Sequence, residues 1–364
     1  MMGRRKARIG TLAALLVSAL LWGGPGTTAH AANPETRRLE GTVSPENWQA
    51  YKSRFVEGTG RVIDNANGNI SHSEGQGYGL MLAFAAGDRA AFEQIWTFTY
   101  TEFLIRDDGL AVWKWDPAST PKVTDRNNAT DGDILIAYAL AKAGVAWKEQ
   151  RYTIMAQRIA RALGRTGISK TTGRSILLPA SQGFGPNDRP DGPVVNLSYW
   201  IFEAIPTLAQ LAPEYDWNGL WREGLSILQQ VNASKMRLPP DWLSIRDRTQ
   251  YRPADGFPPE FGYNSLRIPL YLLRAGMTDV EWLKTIKQRW LGNEGVAVVN
   301  VLTGQIRERL TDQGYRALSA TLACALDQSR VPDDLKTFEP NLYYPSTLYL
   351  LSMSLIGEKY PQCL

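Results

Sequence analysis

Apolar residues recur at helical spacing in eleven segments of this 364-residue chain, while strand-type alternation never persists for more than a few residues. The segments are 45–55, 74–86, 89–104, 131–144, 150–163, 196–211, 217–231, 260–274, 279–291, 315–327 and 342–356. Ser44 and Pro45 supply an N-cap and a first helical position for the earliest of them. Apolar stripes of this kind are stable only when buried against one another. The pattern therefore predicts an all-α fold, with eleven or twelve helices in antiparallel pairs forming a closed double ring. Residues 105–130, 165–195, 232–259 and 292–314 are long connections rich in Gly, Pro, Asp and Trp. Connections of that length are usually functional, so they are read as elaborated loops on one side of the ring. No linker, charge block or repeat divides the chain, which reads as a single domain.

The first residues stand apart. Arg4, Arg5, Lys6 and Arg8 precede an apolar run over 9–22, and small residues follow as far as Ala31. That order is a secretory signal peptide, residues 1–31, which leaves 32–364 as the mature chain. Its removal takes four basic and no acidic side chains from a formal charge of +4, leaving a charge near zero. A near-neutral surface without a basic stripe argues against nucleic acid and membrane surfaces and for a neutral ligand. The expected location is the periplasm or the exterior, with no integral membrane segment after cleavage. Cys324 and Cys363 can pair in an oxidising compartment, or can remain as a buried thiol and a terminal one.

His72 is the one histidine of the mature chain, so no site can use two. A zinc centre is not expected. No phosphate-binding loop motif occurs, and Leu80 stands where a dinucleotide motif needs its third glycine. No metal and no cofactor are predicted. Carboxylates are the remaining source of chemistry.

Glu74 opens a helix whose first turns carry Gly75, Gly77 and Gly79. Each glycine inside a helix costs about 1 kcal/mol against alanine, so something must approach this backbone closely. A first-turn glutamate also complements the helix dipole without further purpose. A general acid must be protonated, which requires apolar surface or a second carboxylate beside it. Asp131 and Asp133 offer that second group; they are two apart, so at most one of them faces a site shared with Glu74. The third stretch is LPPDWLSI at 238–245, followed by FPPEFGYNSLRIPLYLLRAG at 257–276. Tyr263 and Arg267 share a helix face there, with Asn264 beside them, and Pro269 should kink the helix or end it early. Trp113, Trp115, Trp242 and Tyr251 lie in loops, with Tyr199 and Trp200 at a helix start. Indole rings stack on the apolar faces of pyranose sugars while Asp, Asn and Arg bond the hydroxyls. Secretion, neutrality, acids and aromatics together describe a polysaccharide site.

These residues resemble a family. SEGQGYGLMLA at 73–83 is similar to the general-acid motif of glycoside hydrolase family 8, bacterial endoglucanases that include those of rhizobia and of cellulose-synthesis operons. ATDGDILIA at 129–137 fits that family's second signature at every position, and the likeness extends over about 45–357. The resemblance implies an (α/α)6 barrel of paired helices with a substrate groove on one face. It also implies a secreted, monomeric endo-1,4-β-glucanase that hydrolyses internal bonds of cellulose or soluble β-glucan with inversion. Glu74 would be the proton donor, and Asp131 would hold the ring at the cleavage point. Tyr263 and Arg267 would line the same subsite, with Tyr78, Trp113, Tyr199 and Asn264 as further sugar contacts. The chain departs from the family where many members carry an aspartate base, because Asn264 stands there. Candidate replacements are Glu260, on the same helix face if the helix starts that early, Asp131 itself, and Asp255. The alternative readings are a non-catalytic glucan-binding accessory protein of cellulose synthesis, and a family member acting on xylan, mixed-linkage glucan or chitosan.

Overall fold

The computed structural model describes residues 39–364 apart from 172, 248, 249 and 293, so the signal peptide expected at 1–31 lies outside the described residues. Eleven α-helices are found among them. In chain order these are α1 (Pro45–Phe55), α2 (Ser73–Ala85), α3 (Arg89–Phe98), α4 (Thr130–Ala146), α5 (Gln150–Thr166) and α6 (Ile205–Leu211). They continue with α7 (Trp217–Ala233), α8 (Ile268–Arg274), α9 (Glu281–Trp290), α10 (Gln313–Asp327) and α11 (Tyr343–Lys359). Ser44 caps α1 by accepting the Asn47 N–H at 3.2 Å.

Helices that are apolar on all sides form the inner layer. In α8 every residue is buried, and in α2 every residue except Glu74. The outer α5 instead buries one stripe, Tyr152, Ala156, Ile159, Ala160 and Leu163, at helical spacing. The inner helix α2 packs on α4, α4 on the outer α5, and α10 on α11; α11 also meets α1 and α2, which closes the ring.

Two helices are shorter than their periodicity predicts. The segments 196–211 and 260–274 become α-helix only from Ile205 and Ile268, each with a proline in its first turn. A proline lacks the N–H that an interior position must donate but fits the first turn at no cost. Pro269 therefore opens α8 instead of kinking it. The residues ahead of it form a 3-10 turn, Ser265–Arg267, and Glu260 lies in a strand. The premise that put Glu260 on a helix face with Asn264 does not hold.

Short strands tie down the long connections. They are β1 (Ser71–His72), β2 (Lys114–Trp115), β3 (Ile168–Thr171), β4 (Arg174–Leu177) and β5 (Val194–Val195), then β6 (Leu243–Ser244), β7 (Arg252–Pro253), β8 (Glu260–Phe261), β9 (Ala297–Asn300) and β10 (Ile306–Arg309). Four small antiparallel sheets result, ordered β1-β2, β3-β4, β5-β6-β7 and β10-β9-β8. Strands of two to four residues are too short to show alternation in the sequence.

Cys324 of α10 is joined to Cys363 by a disulfide across a separation of 39 residues, within a buried cluster of Val331, Leu335 and Ile356. Replacing both cysteines by serine is expected to lower stability by about 2–4 kcal/mol, read as the urea midpoint of unfolding, through the regained freedom of the unfolded chain. Turnover of the folded variant should not change.

Candidate active site

The site is made by two helix N-termini in contact. A Cβ at Gly132, in the first turn of α4, would fall 2.6 Å from Ser73 Cβ and 2.7 Å from Glu74 N. One turn further along, a Cβ at Gly77 would fall 2.5 Å from Leu135 Cβ. Gly79 faces Val62, and Gly75 faces His72 and the Tyr343 hydroxyl. What approaches the glycine-rich backbone is therefore protein. The three costly glycines serve helix packing, not a sugar chain laid over bare backbone.

That contact sets Glu74 beside Asp131. His72 caps α2, its Nδ1 accepting the Gly75 N–H at 2.9 Å, so the start of the helix is pinned. Arg267 then bridges the two acids: Nη1 donates to Glu74 Oε2, and Nη2 donates to Asp131 Oδ2 at 2.8 Å. The Arg267 and Asp131 side chains are each 2% exposed, whereas Glu74 retains 17%. Glu74 is thus the member of the cluster that a solute can reach.

The two carboxyls are hydrogen-bonded to each other and titrate as a pair. Burial and the Glu74 charge push Asp131 well above the ordinary carboxylate range. Burial pushes Glu74 up as well, but the Arg267 charge, His72 and hydrogen bonds from Asp131 and Arg267 outweigh it and hold Glu74 low. With one arginine facing two buried carboxyls, the arrangement favours one shared proton over two full charges. The sequence expectation of a raised value is met at the partner and not at Glu74.

Residues 27–358 match the family described as Glycosyl hydrolases family 8. The chain belongs to that family. This family 8 hydrolase is 38% identical to an endoglucanase of Cellulomonas uda over 225 residues, which span 62% of each chain. It is 33% identical to a probable endoglucanase of Novacetimonas hansenii over 278 residues, 75% of this chain and 80% of that one. Among solved structures, a family 8 endoglucanase from Klebsiella pneumoniae aligns with a TM-score of 0.78 at 32% identity, covering 86% of this chain and 99% of the other. An endo-β-1,4-glucanase from Acetobacter xylinum aligns with a TM-score of 0.78 at 29% identity, covering 88% and 99%. The helical ring is thus the family's (α/α)6 barrel.

The family 8 site takes up some of the residues singled out in the sequence and leaves others aside. Tyr199 is half-buried with its ring centroid 5.9 Å from Arg267 Cζ. Trp113 flanks the start of α2: its carbonyl accepts the Ser73 N–H at 3.0 Å, and its indole donates to Asp125 at 2.8 Å. Tyr78 is fully buried and hydrogen-bonded to Tyr271, so it supports the cluster from behind instead of meeting sugar. Tyr263 is 44% exposed and donates to Glu308 at 2.9 Å. Its ring lies 6.3 Å from that of Tyr315, and its carbonyl accepts the Tyr344 hydroxyl at 2.6 Å. Trp242 is stacked on both faces, by Phe184 at 5.2 Å and Phe257 at 4.7 Å. Trp200 is buried and donates to the Leu220 carbonyl. Glu260 has Arg307 as its cation at 3.8 Å, and Asp255 is clamped by Arg252 on the surface.

Sequence reasoning passed over Asp241, which contacts Asn264, and around the acids the buried tyrosines 271 and 343 and the half-buried Tyr344. Asp241 had a signal, an acid held next to Pro239 and Pro240 in a loop already set apart for its aromatic residue. The tyrosines carry apolar helical positions and had none.

Asp133 faces the other way. Its Oδ1 accepts the Ala111 N–H at 2.8 Å and its Oδ2 the Asn128 amide at 2.9 Å, which pins the 105–130 connection to α4. Burial pushes it up to about 7. A carboxyl raised on folding holds its proton more tightly than in the unfolded chain, so its contribution to stability falls as pH rises from about 4 to about 7. Asp133→Asn should remove that slope, at most about 1.4 kcal/mol per pH unit, in urea titrations compared with wild type. Gly132→Ala should separate the helix starts and lower turnover about a hundredfold, since displacements near 1 Å carry that cost; a value within twofold of wild type would contradict the packing argument.

Proposed function

We propose that the chain is a secreted, monomeric endo-1,4-β-glucanase, with residues 32–364 as the mature enzyme, acting on cellulose or soluble β-glucan with inversion. The carrying observation is Glu74, which alone on a buried helix reaches solvent and shares a proton with a buried carboxyl under one arginine. Residues of a single chain supply the whole cluster, which supports a monomer. A disulfide persists in an oxidising compartment, which supports export.

Glu74 gives its proton to the oxygen between two sugars. The proton reaches it along its hydrogen bond with Asp131, which then, as a carboxylate on Arg267, binds ring hydroxyls at the cleavage point. Arg267 keeps both acids in place through the exchange, so no side chain has to move when the bond breaks. Tyr199 and Trp113 supply aromatic surface beside the acid. The near-zero charge of the mature chain suits a neutral polysaccharide.

Inversion needs a water between the acid and a second carboxylate, with the two groups about 6.5 to 9.5 Å apart. Asp131 is hydrogen-bonded to Glu74 and leaves no room for that water. It serves the acid and not the base.

Glu74→Gln should lower reducing-sugar release from carboxymethylcellulose about a hundredfold or more while calorimetric binding of cello-oligosaccharides persists. Retained turnover would remove Glu74 from the mechanism. Anomeric NMR of the first product should show the α-anomer from a β-linked chain; a β-anomer would exclude inversion.

A further inference from the structure

Asn264 leaves the reaction without a base at the position where an acid is expected, and Asp241 is the carboxylate that adjoins it. The structure fixes Asp241 closely. Its Oδ1 accepts the Gly262 N–H at 3.0 Å and the Ser265 N–H at 2.9 Å. Among the described residues its Oδ2 has two long contacts, the Asn264 N–H and the Asn264 side-chain amide, each at 3.4 Å. One oxygen is thus anchored by backbone while the other keeps lone pairs for a further donor. The same turn carries Ser265 Oγ and Arg267 Nε, two buried polar atoms with no partner among the described residues, which is the kind of surrounding that holds an ordered water.

Asp241 also belongs to the site electrostatically. Tyr199 lies within electrostatic reach of Asp131, Arg267, Glu74 and Asp241, so the acid pair and Asp241 act on one tyrosine. Asp241 is half-buried, open enough for water and sheltered enough to be held. The other candidates fail on geometry: Asp131 touches Glu74, Glu260 engages Arg307 from β8, and Asp255 is bound to Arg252.

We propose that Asp241 is the general base of this enzyme, orienting the attacking water together with Asn264. The proposal rests on the glucanase reading above. The water donates one hydrogen bond to Asp241 Oδ2 and one to Asn264 Oδ1. As its oxygen bonds to the anomeric carbon, its proton passes to Asp241. The bond from that carbon to the inter-sugar oxygen breaks, and that oxygen takes the proton of Glu74. Exchange with solvent then takes the proton from Asp241 and restores the shared proton of the Glu74–Asp131 pair, so no reactant other than the water is consumed.

The test uses the purified mature protein and carboxymethylcellulose. Asp241→Asn should lower kcat by about a hundredfold or more, with little change in KM and a melting temperature near wild type. Azide needs no base, so it should restore turnover in that variant and yield an α-glycosyl azide. Adding Asn264→Asp to Asp241→Asn should recover turnover about tenfold or more, because a carboxylate reappears beside the water. A kcat within tenfold of wild type overturns the proposal. So does a loss that neither azide nor the second substitution relieves, which would leave Asp241 as a cap of the 262–265 turn.

Asn264→Asp alone gives an answer even if Asp241→Asn does not fold. A second negative charge beside the base should move the acidic limb of the kcat/KM profile to higher pH, and an unmoved limb overturns the assignment. No turnover by the wild-type protein overturns the glucanase reading and this assignment with it, whereas losses confined to the variants bear on Asp241 alone.

Discussion

The contact between the first turns of α2 and α4 governs the site. Gly132 lies so close to Ser73 and the Glu74 backbone that a single methyl group would not fit. Because both helices start at that point, their first-turn carboxylates arrive side by side, with Arg267 delivered by the turn ahead of α8. Cavities and displacements near such a contact cannot be absorbed locally, since a close-packed interior transmits them to its neighbours.

Electrostatics then decide how the two acids behave. One arginine faces two carboxyls in a poorly solvated setting, and two negative charges there would leave one uncompensated. Retaining a single proton makes the cluster neutral. A second arginine pair shows the contrast. Glu203 and Arg274 are fully buried and form a two-point ion pair, supported by the Leu351 carbonyl and the Tyr138 hydroxyl. That pair has the same charges but no opening, and it joins helices. The Glu74 cluster differs in keeping one edge in contact with solvent, and that edge is where chemistry can take place.

Most of the helical frame was legible because inner helices are apolar all round and outer ones carry a clear stripe, as α5 does. The two shortened helices turn on their prolines: Pro269 was taken as an interruption and Pro206 was passed over, yet each marks a beginning. The short strands escaped notice because two residues in a ladder have no period. Glu74, Asp131 and Arg267 were found through motifs and met in space as expected. Trp242 and Tyr263 depend on partners that helical spacing does not reveal, Phe184 and Phe257 for the one and Glu308 for the other.

The sequence by itself determined the kind of molecule: a helical ring, with acidic side chains in the first turns of two of its inner helices. These follow from composition and spacing, which act locally and are written along the chain. Tertiary structure alone decided which glycine faces which helix, that one arginine bridges two acids and which acid stands beside Asn264. Each of those depends on the distance between residues remote in sequence, and in a low-dielectric site a change of one ångström alters both packing and charge.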